Sequence, residues 1–222
     1  SLYEYSDAVT YFKKALELDP DNADGWYYMG NAYYNIPDYV NAVAAYDKAL
    51  ELSPGHKDAS YNSGYTCLYF LGDYEKALKY LERSIKLDPE NASVMYNFGI
   101  AYLELKDYKE ALKWLDKAVA LQPSFEESVA TDYGYIYLHL NKPEKALDYF
   151  TANVVEYPLD PWAYYHLACY YSLTGNAPTG LEYLEKALEK GFEDFDHMDT
   201  DPDIENLRKD SGYAVIAAKY RK

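Results

Sequence analysis

Tyrosine and asparagine are the side chains of this sequence whose spacing could do chemistry, and that chemistry is recognition. Tyr27, Tyr61, Tyr96 and Tyr165 recur at one register, with Asn31, Asn62 and Asn97 beside them. An asparagine amide both donates and accepts, so it can hold the backbone of an extended chain without reading its sequence. Tyrosine supplies stiff, amphipathic contact area at a small entropic cost. The chain has 29 tyrosines against 7 phenylalanines and 3 tryptophans, so most of its aromatic bulk tolerates contact with water.

Catalytic chemistry finds no comparable pattern. The sequence holds no glycine-rich phosphate loop, no nucleophile elbow, no zinc-binding helix motif and no carboxylate pair set for acid–base work. Cys67 and Cys169 are read as two ordinary half-buried thiols rather than a bridge, because a disulfide needs Cα atoms within about 7 Å. His139 and His166 can face each other on adjacent elements, but a metal needs more ligands than two, so exposed helix histidines are the expectation. The acidic run from Asp194 to Asp203 lacks the spacing and glycine of a calcium loop and reads as a solvated loop with helix caps. No cofactor is expected.

Internal repetition sets the elements that must carry these side chains. Pro20, Pro54, Pro89, Pro123 and Pro158 stand 34 or 35 residues apart. A small residue follows each of them, at Gly30, Gly64, Gly99, Gly134 and Ala168, and a second follows that, at Ala42, Ala77, Ala111, Ala146 and Gly180. Beyond the second small residue comes a large one: Tyr46, Leu81, Leu115, Phe150 and Leu184. Apolar residues at i, i+3, i+4 and i+7 in both halves of the unit predict two amphipathic helices. The small residues let those helices approach closely. Asp38, Asp73 and Asp107 are placed to cap the second helix of each pair.

This pattern resembles the tetratricopeptide repeat: Trp26, Met29-Gly30, Tyr33, Ala42, Tyr46, Ala49 and Pro54 stand in the family's order, and Met95, Phe98-Gly99, Tyr102, Ala111, Leu115 and Ala118 repeat it. The resemblance implies an all-α, right-handed superhelical solenoid of antiparallel helix hairpins with a C-terminal capping segment. It divides the chain into a half repeat at 1–20, full repeats at 21–54, 55–89, 90–123, 124–158 and 159–192, and a helical cap at 193–222. Leu207, Tyr213, Ile216 and Tyr220 are expected to cover the last repeat. Tyr5, Ala8, Phe12 and Ala15 fit only the second helix of a hairpin, so its first helix is expected to lie upstream of Ser1. Two repeats carry one extra residue, between Gly64 and Ala77 and between Pro123 and Gly134; each should change local packing.

By the same resemblance, the first helix of each repeat lines a concave groove. The groove residues are then Tyr27, Asn31, Tyr61, Asn62, Tyr65, Tyr96, Asn97, Tyr135, Tyr165 and His166, with Asp24, Asp58 and Glu104 among their neighbours. The carboxylate clamp of chaperone-binding family members uses two asparagines with lysine and arginine. Asn31 and Asn62 match its asparagines, whereas its basic positions are Tyr27, Ser93 and Asn97 here. A net charge of −16 repels nucleic acid and anionic membrane surfaces, and no apolar run is long enough to span a bilayer. The expected partner is a protein or peptide, neutral or basic, held in the groove without catalysis. The alternatives are a structural module assembling through its ends or convex face, and a docking segment of a larger enzyme.

Overall fold

The computed structural model describes residues 2–221, without the side chain of Leu2. Every regular element among them is helical. In chain order these are α1 (Leu2–Leu18), α2 (Ala23–Asn35), α3 (Tyr39–Leu52), α4 (Lys57–Thr66), α5 (Tyr74–Leu87), α6 (Ala92–Glu104) and α7 (Tyr108–Leu121). There follow α8 (Phe125–His139), α9 (Pro143–Glu156), α10 (Pro161–Leu173), α11 (Ala177–Glu189), α12 (Phe195–Thr200), α13 (Glu205–Arg208) and α14 (Ser211–Tyr220). Within the first unit each helix from α1 to α7 packs on the next in sequence, and in the second α9 packs on α10 and α10 on α11. The chain divides into two compact units, residues 1–125 and 126–222.

The first unit shows why the small residues recur. A Cβ at Gly30 would stand 2.4 Å from the Tyr46 ring, and one at Gly99 would stand 2.5 Å from Leu115 Cδ2. Gly64 meets Leu81 in the same way, at 2.8 Å. The large residue of the second helix thus lies directly on the backbone of the first. Turn chemistry follows the sequence as well. The side chains of Asn22, Asp38, Asp73, Asn91 and Asp107 accept backbone N–H bonds at helix N-termini. Trp26 reaches back to the carbonyl of Pro20 at 2.8 Å, which fixes the entry into α2. Leu16 of α1 is buried against Met29 and Ala45, with Phe12 and Trp26 alongside.

The extra residue between Gly64 and Ala77 has a definite form. At Cys67–Leu71 the helix begun by α4 widens into a π turn, the Gly72 N–H donates to the Cys67 carbonyl, and Gly72 adopts φ 63°. An i→i+5 turn is how a helix absorbs one surplus residue without losing its axis. The second surplus residue, after Pro123, is taken up differently: α8 starts at Phe125, without the two-residue approach and asparagine cap seen at Asn22 and Asn91.

In the second unit Gly134 lies against Phe150, a Cβ there standing 2.6 Å from the ring. Next in chain order the small residue changes helix. Ala168 stands in α10, and Gly180 of α11 makes room for Leu207, whose Cδ2 would lie 2.7 Å from a Cβ there. Leu207 belongs to the closing segment. With Met198, Ile204 and Tyr213 it buries Leu184, Ala187 and Leu188, and Ile216 and Tyr220 pack at the edge.

Both cysteines are free and fully buried, at 0% exposure, rather than half-buried as expected. Burial pushes the Cys67 thiol up to about 11. The Asp194–Asp203 run also departs from a solvated loop. It forms α12 and a 3-10 turn at Pro202–Ile204, because Asp194 caps the His197 N–H and Asp201 caps the Asp203 N–H.

Candidate functional site

In the first unit the tyrosines and asparagines of α2, α4 and α6 form a bonded ladder. The Asn62 Nδ2 donates to Asn31 Oδ1 at 3.0 Å and to the Tyr27 hydroxyl at 3.5 Å. One repeat further on, Asn97 Nδ2 donates to the Tyr61 hydroxyl at 3.3 Å. Asn62 and Asn97 therefore each tie their own helix to a tyrosine on the first helix of the preceding repeat. Asn31 Oδ1 also accepts from the Tyr46 hydroxyl at 2.8 Å, and Asn97 Oδ1 accepts from Tyr69 at 3.0 Å. These bonds fix the amide orientations before any ligand arrives, and a preorganised polar group loses less on binding.

Between α2 and α4 the ladder opens into a cleft of about 300 Å³, lined by Asn31, Tyr34, Tyr46, Tyr61, Asn62, Tyr65 and Thr66. No charged side chain lines it. Burial raises the Tyr34, Tyr46 and Tyr61 phenols above their ordinary range, so all three stay neutral at physiological pH. The π turn adds a second aromatic group behind the cleft. Phe70 stacks on Tyr39 with centroids 4.2 Å apart and meets Tyr34 edge-on at 5.3 Å. Tyr65 and Tyr69 lie 4.6 Å apart. The sequence signal for this group was the surplus residue after Gly64; its consequence, the outward placement of Tyr69 and Phe70, was not read from it.

The expected site residues fall into three groups. Asn31, Tyr61, Asn62 and Tyr65 converge on the cleft, with Tyr27 bonded to its edge. Asn97 is buried at 3% exposure and holds Tyr61 and Tyr69, so its amide serves the scaffold. Tyr96 stacks on Phe125 at 5.0 Å.

Tyr135, Tyr165 and His166 belong to the second unit, where two of them depart from the expectation. Tyr165 has 1% of its surface exposed, because Phe192 stacks on its ring at 4.5 Å and its hydroxyl donates to Asp201 at 2.8 Å. It offers nothing to an incoming chain. His166 is not an exposed histidine. Its ring lies among Tyr135, Phe150 and Trp162, its Nδ1 is buried without a hydrogen-bond partner, and burial drives its pKa down to about 4. Asp201 is the residue the sequence reading missed. At 9% exposure it accepts from Tyr165 and from Cys169 Sγ at 3.7 Å, while the guanidinium of Arg208 holds its backbone carbonyl at 2.6 Å. In the sequence it stands only as one acid of the Asp194–Asp203 run.

Several solved structures share this fold. A fragment of MamA from Desulfovibrio magneticus RS-1 superposes with a TM-score of 0.61 at 30% identity, over 67% of this chain and 82% of its own. YrrB, described as a TPR protein with an unusual peptide-binding site, superposes at 0.65 with 28% identity, over 84% of this chain and 94% of its own. Over 82 residues the chain is 39% identical to a chloroplastic protein of Arabidopsis thaliana, a match covering 36% of this chain and 24% of that relative. The chain thus matches about a quarter of that curated relative's length. Residues 4–129, more than half of the chain, match the family model described as the cytochrome c-type biogenesis protein H TPR domain, and the chain belongs to that tetratricopeptide-repeat family.

Proposed function

We propose that this protein is a binding module that takes an extended segment of a partner protein along the face of α2, α4 and α6. It performs no catalytic step. The observation that carries the reading is the cleft between α2 and α4, where two cross-bonded asparagine amides sit among four tyrosines. Amides grip a peptide backbone and tyrosines cover its side chains, so the cleft suits an extended chain. The peptide-binding site attributed to YrrB, a relative of the same fold, supports it. In this reading residues 1–192 are the binding array and 193–222 its cap. A partner with an acidic terminal carboxylate is disfavoured, because Tyr27, Ser93 and Asn97 stand where a clamp needs cations.

The test is a selection from a random-peptide library on the full chain, followed by titration of the selected peptide. Replacing both Asn31 and Asn62 by alanine should weaken binding at least tenfold, about 1.4 kcal/mol. Unchanged affinity in that variant would remove the cleft from the account.

A second reading, assembly through the α1 end, draws on Tyr3, Tyr11 and Leu18, which are 86%, 71% and 89% exposed. Light scattering decides it: a concentration-dependent dimer abolished by Tyr11→Lys supports assembly, and a monomer at every concentration excludes it.

A further inference from the structure

We infer that the cleft between α2 and α4 is an arginine pocket: it takes the guanidinium of a single arginine on the bound segment. The inference rests on the binding reading above and adds the chemistry of the anchor.

Three observations lead to it. The first is a segregation of charge. α2 and α6 contain no lysine or arginine, α4 contains only Lys57 at its first position, and the same three helices carry Asp24, Asp58 and Glu104. The cations of the neighbouring helices, such as Lys48, Lys76, Arg83 and Lys117, lie on α3, α5 and α7. A cationic side chain approaching the α2–α4–α6 face meets acids and neutral rings, with Lys57 the one cation among them. The second is the lining of the cleft, which is aromatic and amide without being apolar in the manner of a leucine pocket. The faces of neutral tyrosine rings attract a cation, and the attraction grows when the site is partly desolvated. The third is rigidity. Tyr34 and Tyr65 are backed by Tyr39, Tyr69 and Phe70, which the π turn brings together, so the ring faces are held in place before binding.

Geometry favours arginine over lysine. Asn62 donates to Asn31 and Tyr27 through Nδ2, and its Oδ1 is the atom that would accept from a ligand. A guanidinium is planar, weakly hydrated and rich in N–H groups, so it can stack on a tyrosine and donate to that amide oxygen together. A lysine ammonium keeps its water more strongly and has no face to stack.

The experiment uses the full chain and four capped heptapeptides, Gly-Ser-Gly-Xaa-Gly-Ser-Gly, in which Xaa is arginine, lysine, citrulline or leucine. Binding is followed by backbone and tyrosine-ring chemical shifts. Arginine should bind at least tenfold more tightly than citrulline, which has nearly the same shape without the charge, and should shift Asn31, Asn62 and Tyr65. Lysine should fall between them. Tyr65→Leu should erase the preference and Tyr65→Phe should keep it, both variants being checked by thermal melting. Citrulline or leucine binding as well as arginine overturns the inference, and so does shift confined to other faces. A library-selected peptide that binds α2, α4 and α6 without arginine enrichment would overturn the pocket assignment and leave the binding reading intact. Failure of every peptide at that face overturns both.

Discussion

Single residues carry much of the architecture. Gly99 is the clearest case, because a methyl group there would meet Leu115 Cδ2 at 2.5 Å and the Leu115 backbone nitrogen at 3.2 Å. Alanine is the better helix former by about 1 kcal/mol, but overpacking costs about 1–3 kcal/mol. Gly99→Ala should therefore destabilise by up to about 2 kcal/mol in urea unfolding, while Gly55→Ala, with open space around it, should not destabilise. His166 makes a prediction about pH. Its folded pKa, about 4, lies below the ordinary 6.5, so the unfolded chain binds its proton first. The stability it contributes is complete above pH 6.5 and is lost as pH falls toward 4, by about 3 kcal/mol in all. His166→Phe should flatten that part of the pH–stability curve; a variant that keeps the full slope would show that other groups supply it. At this scale the sequence named Asn31, Tyr61, Asn62 and Tyr65 as site residues among those that line the cleft, and not Tyr34, Tyr46 or Thr66. It did not show that Asn97 and Tyr165 would be used up internally, because their partners Tyr61 and Asp201 lie 36 residues away and the choice rests on how whole helices pack.

At the level of elements, helix ends are the most legible feature. Asp38, Asp73 and Asp107 cap where their spacing placed them, because an N-cap depends on a few consecutive residues. The left-handed residue that stops each first helix is also local. After α4 and α10 it is Gly72 at φ 63° and Gly175 at φ 83°, but after α6 and α8 it is Lys106 at φ 60° and Asn141 at φ 58°. A side chain in that region is strained, whereas glycine is not. Lys106→Gly should raise stability by about 0.5–1 kcal/mol, even though glycine also loosens the unfolded chain. An unchanged or lower urea midpoint would mean that Lys106 makes a compensating contact. The π turn was legible as a surplus residue and not as a form. A surplus residue can bulge a helix, extend it or lengthen a turn, and this chain uses the first after Gly64 and an earlier helix start after Pro123. Which one occurs is decided by neighbouring packing.

Across the molecule, the fold class follows from periodicity, since hairpins of this kind bury their apolar faces only by stacking. The closing segment obeys the same rule. Removing residues 193–222 would strip Met198, Ile204, Leu207 and Tyr213 from Leu184, Ala187 and Leu188. The shortened chain should aggregate or lose cooperative unfolding, as sedimentation and thermal melting would show. A shortened chain that stays monomeric with an unchanged melting point would show that these contacts add nothing. The acidic charge of −16 is also a property of the whole chain, and such a field repels nucleic acid and anionic membrane surfaces. Its distribution does more: the face of α2, α4 and α6 keeps its acids and nearly excludes cations. We propose that this face, through the amides of Asn31 and Asn62, holds an extended partner segment. The most direct measurement is a backbone chemical-shift map of the full chain titrated with a library-selected peptide. The account predicts shifts concentrated on α2, α4 and α6, centred on Asn31, Asn62 and Tyr65, and lost in the Asn31→Ala, Asn62→Ala double variant. Shifts confined to α3, α5 and α7, or to the exposed side of α1, would contradict it.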